Sequence, residues 1–111
     1  MKITSREEGD ITVLSLKGDL EINSVSEIKD FVANLCNNKK TKLVIDLSEI
    51  ELVDSMGLGV LVGSHLMMQE KGGWMVLVGL HGQPETIMFK TKMNRLLKIS
   101  SSLAEAANMN E

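Results

Sequence analysis

Residues able to do chemistry are few in this chain, and the most informative sit together in the run Leu52-Val53-Asp54-Ser55-Met56-Gly57-Leu58-Gly59-Val60. An apolar strand end meets a helix start there. The side chain of Asp54 or Ser55 can accept a hydrogen bond from the free amides of a first helical turn, while Gly57 and Gly59 leave that turn bare enough for close backbone approach. A helix opening of this kind favours negative charge, including a phosphate carried on a neighbouring hydroxyl. The chemistry indicated is recognition and modification, not catalysis.

No other group of residues forms an enzymatic constellation. His65 and His81 are the only histidines, and neither has Cys, His or carboxylate neighbours at metal-ligand spacing. His65 reads as a helix residue at the edge of a buried stripe, and His81 as a loop residue. Gly57-Leu58-Gly59 lacks the third glycine and the downstream acid of a dinucleotide loop, and no P-loop lysine follows it. Asp46 and Asp54 are eight residues apart with a turn between them, so they do not form a catalytic carboxylate pair; Asp46 suits the cap of a loop beginning at Leu47-Ser48. Cys36 is the single cysteine and lies at helical spacing from Val32, which makes it a packing thiol. No metal or cofactor is expected.

Composition sets the frame for these residues. With 111 residues the chain makes one domain, 1–111, with a single core. It has eight methionines, two phenylalanines and no tyrosine, so that core is aliphatic and sulfur-rich, and the composition argues against base-stacking platforms. A net charge of −3 argues against a nucleic-acid footprint. The two basic concentrations, Lys39, Lys40 and Lys42, then Lys90, Lys92, Arg95 and Lys98, read as solvated rims. There is no basic-then-apolar leader and no apolar run near the roughly 20 residues needed to span a bilayer, so a cytoplasmic protein without membrane insertion is expected.

The elements that position the central run follow from periodicity. Lys2 to Glu7 and Ile11 to Lys17 alternate as strands of a hairpin turning at Glu8-Gly9-Asp10. Asn23 or Ser24 suits the N-cap of a first helix carrying Val25, Ile28, Phe31, Val32 and Leu35 inward and ending near Asn37-Asn38. Leu43-Val44-Ile45 is a strand covered on both faces. A second helix spans about Met56 to Glu70 and stops at Gly72-Gly73, before a buried strand at Trp74 to Val78. Alternating strands and helices imply a parallel sheet core. Pro84 fits the first turn of a third helix with Ile87 and Met88 inward; a short segment at Leu96 to Ile99 and a last helix near Leu103 to Ala107 close the chain.

The second helix has more apolar surface than one buried face requires. Leu58, Leu61, Val62 and Leu66 form a stripe suited to the sheet, and Met56, Val60, Gly63 and Met67 form a second. A second apolar stripe is either covered by a neighbouring element or serves as a docking surface.

The segments Leu43 to Ser48 and Val53 to Leu61 together resemble the signature of the STAS domain family, in particular its stand-alone bacterial anti-sigma factor antagonists. The resemblance extends through Lys17-Gly18-Asp19-Leu20, the two-glycine end of the second helix, and Leu96-Leu97-Lys98-Ile99 to Ala106. It implies an α/β fold with a mixed sheet of four to five strands and about four helices packed beside it. It also implies a non-enzymatic partner switch, in which the unmodified domain binds an anti-sigma factor, commonly a serine kinase of histidine-kinase-like fold. Phosphorylation at the start of the second helix breaks that complex, and a phosphatase restores it.

The chain departs from the family pattern at the usual phosphoacceptor position, where Met56 has no hydroxyl. Ser55 is the candidate for modification, displaced by one residue and so by about 100 degrees around the helix. By the resemblance, Asp54, Ser55, Met56, Gly57, Leu58, Gly59, Val60, Gly63 and Met67 form the partner-binding surface. A constitutive antagonist, a switch moved to Ser55 and a scaffold without a switch are the three explanations for Met56. Two other functions stand beside these: a subunit scaffolding a phospholipid-transport ATPase complex, and a weak nucleotide-binding module using the amides near Ser55. An apolar helix face or a free sheet edge would also support a homodimer.

Overall fold

The computed structural model describes residues 1–109, so Asn110 and Glu111 lie outside the described part. The expected hairpin forms from β1 (Lys2–Glu8) and β2 (Ile11–Leu20), with Gly9 at φ +64° in the turn. Next come α1 (Ile22–Asn37), β3 (Lys42–Val53), α2 (Ser55–Glu70), β4 (Trp74–Val78) and α3 (Gly82–Lys90). A 3₁₀ turn at Met93–Arg95, β5 (Lys98–Ile99) and α4 (Leu103–Met109) complete the described chain. The strands lie in the order β1-β2-β3-β4-β5, with β1 antiparallel to β2 and every other pair parallel. This is the mixed α/β sheet with four helices that the resemblance implied.

Strand alternation divides the core in two. Leu14, Leu16, Leu43, Ile45, Met75 and Leu77 face α1, α2 and α3, whereas Val13, Val44, Val76 and Val78 face α4 through Ala106. The central strands are thus covered on both faces, as the unalternated run Leu43-Val44-Ile45 requires.

The sequence places three features differently from the structure. First, β3 does not stop at Ile45. Its pairing with β2 slips twice, between Ser15 and Lys17 and between Gly18 and Leu20, each time leaving one extra residue in β3. Leu47, Ile50 and Val53 therefore reach the core at three-residue intervals, a spacing that hides the strand from a period-two reading. Asp46 sits at the first of these bulges, where its Oδ1 accepts from the Ser48 N–H at 2.9 Å; it caps no loop.

Second, α1 starts at Ile22 with Glu21 as its N-cap. Ser24, expected as a cap along with Asn23, is the third helical residue and works backwards, its Oγ accepting from the Glu21 N–H at 3.0 Å. Third, the sheet-facing stripe of α2 is Leu58, Leu61, His65 and Met68. Val62 is half-buried and Leu66 is exposed, because the stripe follows the 3.6-residue period past Leu61 onto a histidine that polarity had set at its edge. Cys36 packs as expected, its Sγ 3.9 Å from Met68 Sδ, and burial raises its thiol pKa.

Candidate functional site

The loop from β3 to α2 is held from three sides. The side chain of Gln83, at the start of α3, clamps Val53: its Nε2 donates to the Val53 carbonyl at 3.0 Å and its Oε1 accepts from the Val53 N–H at 2.8 Å. From β2, the Leu20 carbonyl accepts from the Asp54 N–H at 3.1 Å. Asp54 then caps α2, its Oδ1 accepting from the Gly57 N–H at 2.8 Å.

Gly57 is required by this arrangement, since a Cβ there would lie 2.1 Å from the Leu20 carbonyl oxygen. The close approach inferred from the glycines is therefore internal at Gly57, where the helix start lies under the end of β2. At Gly59 and Gly63 an added Cβ would meet nothing within 4 Å. Those two positions are open.

They open onto a groove between α1 and α2, about 260 Å³ in volume, lined by Val25 and Lys29 from α1 and by Ser55, Met56, Gly59, Val60, Gly63, Ser64 and Met67 from α2. The second apolar stripe is thus covered by α1 along part of its length and left open along the rest. Val60 is buried against α1, Met67 is half-buried, and Met56 is 48 % exposed at the mouth. The polar floor is already satisfied, because the buried Ser64 hydroxyl donates to the Val60 carbonyl at 2.7 Å. No charged residue occurs on α2 from Ser55 to Gln69, and Lys29 is the one charged side chain in the lining. Ile22, 60 % exposed and three residues before Val25 on the same face of α1, continues the apolar rim.

Of the sequence-derived site residues, Ser55, Met56, Gly59, Val60, Gly63 and Met67 come together around this groove. Asp54 is at its edge as the cap, while Gly57 and Leu58 turn inward, Leu58 into the main core. Val25, Lys29 and Gln83 were not singled out from sequence. Val25 carried only a core signal, and neither Lys29 nor Gln83 carries any signal in one dimension.

The histidines stay away from the groove. His65 is buried on the sheet side with Nδ1 unpartnered among the described residues, and burial, then the charge of Lys98, lowers its pKa. His81 places Nε2 at 2.9 Å from the Ser48 carbonyl oxygen. Among the described residues no three His, Cys, Asp or Glu side chains converge as a metal site, and no helix is long and apolar enough to cross a membrane. The first basic concentration is tied to the hairpin, with Lys40 Nζ 3.2 Å from Glu7 and Lys42 paired with Asp10.

The chain has clear relatives. It is 30% identical over 98 residues, 87% of each chain, to a Thermotoga maritima protein that carries the provisional name anti-sigma factor antagonist. A crystal structure of a protein so described from that organism superposes with a TM-score of 0.90 at 26% identity, covering 96% of this chain and 92% of the other. The anti-sigma-F factor antagonist RsfB of Mycobacterium tuberculosis is 28% identical over 78 residues, 70% of this chain and 61% of its own. The profile of the STAS domain matches residues 2–106, and the chain belongs to the STAS domain family.

Proposed function

We propose that this protein is an anti-sigma factor antagonist that works by binding, without catalysis, and that it docks its partner on the α1/α2 groove and the Asp54–Gly59 helix start. The observation that carries the reading is the groove itself: apolar, uncharged along α2, bare at Gly59 and Gly63, and continuous with a rigidly held loop. The names of its relatives point the same way. Met-rich surfaces adapt to a partner's side chains, and small residues let a partner helix or strand approach the backbone.

The partner in this reading is an anti-sigma factor of the serine-kinase, histidine-kinase-like type, met in the cytoplasm. Met56 blocks phosphorylation at the usual position, which leaves the protein either a constitutive antagonist or one modified at the exposed Ser55 with a phosphatase to reverse it. A phosphate at Ser55 would set roughly 1.5 to 2 negative charges on the rim of an apolar groove and so oppose docking.

Affinity capture from native lysate with magnesium-ATP, followed by intact mass of the bait, tests this. A kinase-type anti-sigma factor on unmodified bait supports constitutive antagonism, and phosphate at Ser55 supports the displaced switch. Recovery of a phospholipid-transport ATPase in its place would overturn the antagonist reading in favour of a scaffold.

A further inference from the structure

We infer that Met56 is a reversible oxidation site by which peroxide turns the docking groove off. The inference rests on the docking reading above and adds a mode of control to it. Met56 is the most exposed methionine among the described side chains, at 48 % against 38 % for Met1 at the chain start. Met68, Met75 and Met88 are sealed in the core at 1 % or less, and Met67 and Met93 are half-buried. A peroxide therefore meets the Met56 thioether before the other groove sulfur.

The chemistry balances without a cofactor. The sulfur lone pair attacks one peroxide oxygen, the O–O bond breaks, an S–O bond forms, and the second oxygen leaves as water; sulfur loses two electrons and the peroxide gains two. A sulfoxide reductase drawing two electrons from a dithiol reverses the step, releasing water.

Its consequence follows from position. The thioether is a flexible apolar contact at the mouth of a groove whose α2 side is uncharged, and the sulfoxide is a strong dipolar acceptor that would have to be desolvated there. The buried Ser64 hydroxyl of the groove floor offers no compensation, because it is committed to the Val60 carbonyl. In a complex the partner covers Met56, so oxidation takes the free antagonist and prevents its return.

The experiment uses the full chain and the anti-sigma factor recovered by capture. Mild hydrogen peroxide followed by peptide mass mapping is expected to add oxygen at Met56 ahead of Met67 and Met93. Binding should then weaken about tenfold or more, recover after sulfoxide reductase with dithiol, and be insensitive to peroxide in Met56→Leu. Faster oxidation at Met67 or Met93, unchanged affinity of the Met56 sulfoxide form, or equal loss in Met56→Leu would overturn the inference while leaving the docking reading intact. If the reduced protein holds no anti-sigma factor, the docking reading falls and the inference falls with it.

Discussion

Gln83 binds Val53 through both atoms of its side-chain amide, at 2.8 and 3.0 Å, so a residue of α3 completes the backbone hydrogen bonding of the last residue of β3. One residue later the chain turns into the cap of α2. The clamp fixes the end of the strand from one side as the Leu20 carbonyl fixes Asp54 from the other, and the two together set the direction of the helix that carries the groove. Replacing Gln83 with Ala leaves the Val53 N–H and carbonyl to a partly buried site, with an expected loss of about 1 kcal/mol. Urea unfolding measures that loss, and faster amide exchange at Val53 and Asp54 would show it to be local.

Gly57 and Gly59 look alike in sequence and should respond oppositely to the same change. Gly57→Ala drives a methyl into the Leu20 carbonyl at 2.1 Å and should cost about 2 kcal/mol or more, through displacement of the helix start. Gly59→Ala meets open space and should stabilise the helix by about 0.5–1 kcal/mol. Thermal unfolding of the pair separates the internal contact from the external surface, and stabilisation by both changes would refute the placement of Gly57.

Asp54→Ala removes the acceptor of the Gly57 N–H. The expected cost is about 1 kcal/mol, with Asn recovering most of it. Unfolding of the Ala and Asn variants side by side distinguishes loss of the cap from loss of charge.

His65 gives the fold a dependence on mildly acidic pH. Its folded pKa lies below the usual 6.5 because of burial, and then because of the positive charge of Lys98. The unfolded chain therefore takes up a proton first, so stability is complete above about pH 6.5 and falls as pH drops toward the folded value. Asp10, held low by its hydrogen bond and ion pair with Lys42, adds a loss only at lower pH, near and below its ordinary 3.8. His65→Leu should flatten stability between pH 5 and pH 7 and leave the more acidic slope, as read from urea midpoints across that range.

The parts of the fold with a strict period were legible in the sequence: the hairpin, the buried run Leu43-Val44-Ile45, and the α2 stop at Gly72-Gly73, where Gly72 has φ +79°. The cap and its glycines were legible too, because Asp54 and Gly57 act within four residues of each other. What escaped were features set by partners distant in sequence. The bulges that carry β3 on to Val53 arise from its register with β2, and Lys29 reaches the groove only once α1 lies beside α2. His65 escaped for another reason: polarity set it at the edge of the buried stripe, while the backbone period carries it inside.

The proposed docking on the α1/α2 groove is open to a direct test. Gly63 is its most informative probe, since it lines the groove and an added Cβ there meets nothing within 4 Å. The decisive measurement is the dissociation constant of Gly63→Leu for the captured anti-sigma factor beside that of the wild type, with the melting temperature confirming an intact fold. Docking on the groove predicts a melting temperature equal to or above the wild type's and affinity at least about tenfold weaker, roughly 1.4 kcal/mol or more. An intact fold with unchanged affinity would place the partner elsewhere and contradict it.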